Sequence, residues 1–144
     1  MQKRFFPFLL VLALLFAHHC SKGPSPRVVV MDFLEAVNTA DTATIEKYLD
    51  LDTFTEEKLK EIPDSQRAAA FAGMREQLLG NFLGSGGTRL KWQNKMIVVN
   101  KEEIEGDEAL VEVTFMDQKT GLTEYTKARL HKKPEGWRIY YIKE

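Results

Sequence analysis

Residues 108–142, EALVEVTFMDQKTGLTEYTKARLHKKPEGWRIYYI, decide the fold class. In the opening stretch, Ala109, Val111, Val113 and Phe115 alternate with Glu112 and Thr114. Successive side chains of a strand point to opposite faces, so this period of two puts the apolar set on one face and the polar set on the other. Lys119-Thr120-Gly121 interrupts the alternation as a hairpin turn, and Pro134-Glu135-Gly136 does so again. Between the two turns, Leu122–Lys132 reads as a strand carrying Tyr125, Ala128 and Leu130; after them, Trp137–Ile142 is the last strand. Upstream, Gly106-Asp107 marks another turn, and Thr88–Lys101 reads as a strand with Leu90 and Trp92 on one face. Strands joined by short turns run antiparallel, so the segment predicts a four-stranded meander.

Before Thr88 the apolar spacing is helical. Val29, Val30, Phe33, Leu34 and Val37 trace one face of a helix opened by Pro26, a residue whose missing N–H costs nothing at a helix start. A second short helix follows, with Thr42 or Thr44 as its cap and Ile45, Tyr48 and Leu49 inward. Leu51 to Ile62 supplies one or two further turns, stopped by Pro63. Asp64 and Ser65 then cap a longer helix that buries Phe71, Met74, Leu78, Leu79 and Phe82. Gly84 to Gly87 ends that helix as a flexible turn. No Lys-Ser/Thr pair follows, so it is no phosphate-binding loop. Helices first and strands second predict an α+β domain: N-terminal helices packed on one face of a curved antiparallel sheet.

The first twenty residues, MQKRFFPFLLVLALLFAHHC, carry a different message. Lys3 and Arg4 form a positive start, and Phe5 to Ala17 is an uncharged apolar run. It is shorter than the roughly 20 residues that span a bilayer and matches the hydrophobic region of a signal peptide. Cys20, the chain's one cysteine, follows at once, with Ser21 after it. This resembles the lipobox of bacterial lipoproteins, in which a signal peptidase cuts before a cysteine that carries a diacylglycerol. His18 and His19 stand where that pattern has small residues. An uncleaved signal anchor, a free secreted thiol and a buried core helix are the alternative readings. A single cysteine excludes an intrachain disulfide.

These features divide the chain into a signal peptide (1–19), a lipidated Cys20 with a Ser/Pro/Gly-rich tether (20–26), and one α+β domain (27–144). The expected location is the bacterial cell envelope, at a membrane surface on the periplasmic or outer-membrane side, with the lipid anchor as the membrane partner. The whole chain has 20 basic and 21 acidic residues. Loss of Lys3 and Arg4 with the signal peptide leaves 18 basic against 21 acidic, a formal charge of −3. That balance speaks against nucleic-acid binding, which calls for a clustered basic face.

Further motifs carry a family resemblance. Pro26, Val29, Phe33, Leu34, Ala36 and Asp41 in the first helix, Tyr48-Leu49-Asp50 closing the second, Gly106 to Val113 in a strand and Gly136 to Ile139 at the end resemble nuclear transport factor 2-like domains. More narrowly, the chain resembles the lipoproteins of that superfamily whose function is unassigned. The resemblance implies a cone-shaped roll, a bent sheet wrapped around helices with a pocket open at one end. It also implies that an enzyme of this kind would place an aspartate or histidine inside the pocket.

No catalytic constellation, metal-ligand spacing or cofactor motif stands out. His131 follows the alternation of Lys127 and Arg129 and is expected in solvent; Asp50, Asp52 and Asp117 read as caps or turn residues. Tyr48, Trp92, Tyr125 and Tyr140 are the candidate pocket-lining residues, each with an apolar body and a polar tip. The leading functional expectation is a non-enzymatic module for a small-molecule or protein ligand. The rival is an isomerase- or dehydratase-type enzyme with an Asp or Tyr acid/base. A homodimer through the open sheet face would require an apolar outer surface, against which Lys127, Arg129 and Glu112 argue.

Overall fold

The computed structural model describes residues 23–143, so the expected signal peptide and Cys20 lie outside the described residues. Among the described residues five helices precede four strands: α1 Pro26–Thr39, α2 Thr42–Tyr48, α3 Leu51–Leu59, α4 Asp64–Phe82, α5 Gly87–Gln93, then β1 Lys95–Glu105, β2 Glu108–Asp117, β3 Thr123–Lys133 and β4 Gly136–Ile142. The strands form one antiparallel sheet in the order β1-β2-β3-β4, the meander expected from the turns.

α1 begins as read: Ser25 caps it, Pro26 sits in its first turn, and Val29, Val30, Phe33, Leu34 and Val37 are all buried. These side chains meet Val111, Val113, Phe115, Ala128, Leu130, Ile139 and Ile142 from the inner face of the sheet in one core. An aromatic chain fills the middle. Phe33 meets Phe82 edge-on at 5.4 Å, Phe82 lies 5.8 Å from Trp92, and Trp92 stacks on Phe115 at 5.0 Å. Such pairs add about 0.5–1.5 kcal/mol each beyond the apolar area they bury.

Several expectations are corrected. Thr88–Lys101 is not one strand: Gly87–Gln93 is helix α5, and the strand starts only at Lys95. Thr88 and Trp92, four apart, are both buried, whereas Leu90 is half exposed; the spacing that matters here is helical. Gly86 makes the tight reversal from α4 into α5, because a Cβ there would run into the carbonyls of Gly80 and Asn81. α5 also places Arg89, whose guanidinium donates to the carbonyls of Val37 (3.0 Å), Asn38 (3.1 Å) and Gly84 (2.7 Å). A cation thus satisfies the orphan carbonyls at the end of α1, where the helix dipole is negative.

Asp41, rather than either threonine, caps α2, accepting from Thr44 N at 3.2 Å. The region read as one or two turns is the nine-residue helix α3. α4 has Pro63 at its cap position and no side-chain cap. Only Leu78 and Phe82 of its expected apolar face are buried. Phe71, Met74 and Leu79 are half-buried, because most of α4 packs on α3 at the periphery rather than on the sheet. Among the described residues no helix is long and apolar enough to cross a membrane.

Candidate functional site

The polar groups that converge do so outside the core, at the β3–β4 end of the outer sheet face. Alternation along β3 sends Ala128 and Leu130 into the core and Arg129 and His131 outward. His131 pairs in register with Glu108 on β2 and Arg138 on β4, so all three share that face. Between Arg129 and Leu130 the β3–β4 register shifts: Leu130 opposes Ile139, but Arg129 opposes Tyr141. Tyr140 is the extra residue, and a bulge of this kind re-aims a side chain. The Tyr140 hydroxyl donates to Glu108 Oε2 at 2.9 Å, and its ring lies 5.0 Å from that of His131.

The α2–α3 junction closes the cluster from the edge of the sheet. Leu49 forms a parallel bridge with Ile139, and Asp50 N donates to Ile139 O at 2.7 Å. This backbone pairing covers part of the β4 edge and delivers the Asp50 side chain. One carboxylate oxygen caps α3 through Thr53 N at 3.1 Å; the other lies 2.8 Å from His131 Nε2 and 3.4 Å from Lys133 Nζ. Burial alone would raise the Asp50 carboxyl, but hydrogen bonds from Thr53, His131 and Lys133 outweigh it and hold it below the ordinary carboxylate value. Tyr140 moves the other way. Burial and the bond to Glu108 raise its phenol, against the opposing charge of Arg129.

Arg129 lays its guanidinium over the Tyr140 ring at 5.0 Å and lies 3.5 Å from Glu57 on α3. Arg138 donates to the carbonyls of Glu46 (3.1 Å) and Leu49 (2.9 Å), fastening the α2–α3 junction. Two surface depressions adjoin the cluster, one on the Asp50 side and one on the Tyr140 side. One, of about 360 Å³, is lined by Glu46, Asp50, Asp52, Arg75 and Arg138. The other, of about 250 Å³, is lined by Glu103, Glu105, Glu108, Arg129 and Tyr140. Chemically, the arrangement offers fixed donors and acceptors of both signs around a carboxylate-oriented imidazole. That suits a polar ligand bearing both charges better than an apolar one. No group of three or more metal-ligating side chains occurs among the described residues.

The four aromatic candidates scatter. Tyr140 belongs to the cluster. Tyr48 is buried, its hydroxyl donating to Asp32 Oδ2 at 3.1 Å, and it lines a different depression with Asp41 and Thr44. Trp92 is sealed in the core at 1% exposure, and Tyr125 stands 75% exposed opposite Thr114 on the outer face. His131 is on the face expected from Arg129 and Lys127, yet its side chain is only 17% exposed, because the α2–α3 junction covers it. Asp50, Glu108, Arg129 and Arg138 were not legible as a site. Alternation gave the shared face, but nothing local announced that a segment some ninety residues upstream would cross onto it.

No family model matches the chain, and no curated protein matches its sequence. Solved structures do match its fold. A protein described as a nuclear transport factor 2-like transpeptidase, from Campylobacter jejuni, superposes with a TM-score of 0.49 at 16% identity, over 81% of this chain and 97% of that one. A phospholipid-binding protein from Ralstonia solanacearum, solved with a phospholipid, gives 0.50 at 15% identity, over 81% and 73%. A SEC-C motif-containing protein from Rhodopseudomonas palustris gives 0.47 at 12%, over 83% and 77%. At these identities the likeness extends to the fold alone: four antiparallel strands packed on N-terminal helices.

Proposed function

We propose that the chain is an envelope lipoprotein, acylated on Cys20 and held at a membrane surface, whose domain is a non-enzymatic binding module. Its ligand is a small polar molecule or a protein segment, and its binding surface is the Asp50–His131–Tyr140 cluster on the outer sheet face. One observation carries this reading: the interior of the roll, where a pocket enzyme would work, is filled. Phe33, Phe54, Phe82, Trp92 and Phe115 occupy it at 0–2% exposure, while the groups able to meet a ligand lie outside. A site can be grafted anywhere on a fold, so its own side chains decide.

The anchor is tested by intact mass and detergent partitioning of the full chain made in a bacterial host, beside Cys20→Ala. The expected result is a mature species starting at Cys20 with acyl mass, lost in the variant. An unmodified wild type in the aqueous phase overturns the anchor.

A second reading has one observation in its favour. The Asp50–His131 contact, with the Tyr140 phenol close by, has the parts of an acid/base pair for an isomerase or dehydratase. Turnover of a carbonyl or hydroxy-acid substrate that vanishes in His131→Asn, with ligand affinity retained, would establish it over the binding module.

A further inference from the structure

The described domain exposes eight large apolar side chains, and five of them sit on α1 and β1: Val28, Met31, Met96, Val98 and Ile104. These two elements run side by side in opposite directions. Arg27 N, at the start of α1, donates to Glu102 Oε2 near the far end of β1; Asn38, near the end of α1, lines the same groove as Lys95, where β1 begins. The groove between them, about 510 Å³, is walled by Met31, Leu34, Ile97, Val98 and Val99. Arg27 and Lys95 lie towards its two ends, and Asp32 and Glu35 along its helix side. β1 is also an edge strand, covered on one side only.

The position of the chain's entry says what covers this face. α1 starts at Pro26, six residues after Cys20, and six residues span at most about 20 Å. Val28 and Met31 are in the first two turns, so a lipid on Cys20 holds them within reach of the bilayer interface. The whole 14-residue helix is only about 21 Å long, so lying flat it brings the entire groove to the same plane.

We propose that the α1–β1 edge is a membrane-contact surface: α1 lies along the bilayer, Val28 and Met31 from the helix and Met96 and Val98 from the outer side of β1 enter the headgroup boundary, and Arg27 meets lipid phosphate. The proposal rests on the membrane anchoring proposed above. It deepens that reading by fixing the orientation: β4, which carries Tyr140, is at the opposite edge of the sheet, three strand spacings or about 14 Å away. The cluster is thereby presented to the aqueous side. Apolar residues beside a tether add to its hold in proportion to the area they bury, which is how two weak membrane signals become a stable one.

The test tethers the protein independently of natural acylation. The chain from residue 21 carries an N-terminal histidine tag and binds phosphatidylcholine vesicles, with and without phosphatidylglycerol, through a nickel-chelating lipid. An environment-sensitive fluorophore is placed in turn at Met31→Cys, Val98→Cys and, as control, Glu57→Cys. The expected result is a blue shift and quenching by spin-labelled lipid at the first two positions, none at the third, and loss of quenching at Val98→Cys when Val28→Asp and Met31→Asp are added. Equal or absent quenching at all three positions, with tethering verified by sedimentation, overturns the proposal. So does quenching that appears only at high surface density, which would make a second copy the occupant. Failure of acylation in the intact-mass experiment overturns the anchor, whereas failure of the quenching pattern overturns only the orientation proposed here.

Discussion

The two faces of the sheet are built from the same strands and behave as different materials. On the inner face, Val111, Val113, Phe115, Leu130 and Ile139 are at most 2% exposed and their neighbours are apolar. On the outer face, Glu108, Arg129, His131 and Tyr140, sometimes one residue along the same strand, meet through hydrogen bonds, an ion pair and ring contacts. The inner face is held by burial, which is non-directional and proportional to area. The outer face is held by directional contacts that fix positions and add little net stability. Substitutions should therefore split by face: inner changes alter stability at every pH, and outer changes act mainly through its pH dependence.

The largest effect should come from Phe82→Ala. Phe82 touches Phe33, Phe54 and Trp92, so its removal should cost about 3–5 kcal/mol, read as a fall in the denaturation midpoint. A loss under about 1 kcal/mol would mean that the aromatic chain collapses freely and is not the core argued here. Next comes Gly86→Ala, which must push the α4–α5 reversal off the carbonyls of Gly80 and Asn81. It should cost about 1–3 kcal/mol, on the scale of an overpacked site, and near-ultraviolet circular dichroism should report the displaced Trp92.

Asp50→Asn should act mainly through pH. Because the folded carboxyl sits below its ordinary value, its contribution is present above the unfolded pKa of about 4 and is lost as pH falls through the folded value. Wild-type stability should thus drop more steeply than the variant's below about pH 4, and the two curves should run parallel above pH 6; identical acid limbs would dismiss the Asp50 network. Smallest of all, Tyr125→Ser, on the same outer face but 75% exposed, should change stability by no more than about 0.5 kcal/mol. A larger loss would sharpen the comparison by revealing a partner for that part of the sheet.

Local pattern carried much of this. Period-two alternation in β2 assigned Ala109, Val111, Val113 and Phe115 to the core, and helical spacing assigned Val29, Val30, Phe33, Leu34 and Val37. It failed at Thr88–Gln93, where Leu90 and Trp92 fit both a strand and a short helix; the reversal at Gly86 and the contacts of Arg89 with α1 decide the matter, and both are tertiary. The site was less legible still. His131 and Asp50 are 81 residues apart, and each has an ordinary local reason to be where it is. Only the pairing of Leu49 with Ile139 makes them neighbours.

That pairing also sets an order of events. α2 and α3 emerge early in synthesis, but the strand that receives their junction, β4, emerges after all the other elements. Until Ile139 has left the ribosome, the α2–α3 junction has no strand to pair with and Tyr141 is not yet there to meet Phe54 at 5.7 Å. Contacts of such long sequence separation form late, because the intervening loop must close before they contribute. A domain whose closure waits for its last strand gains its full cooperativity only when β4 is in place, so loss of that strand should free the α2–α3 junction together with the sheet edge.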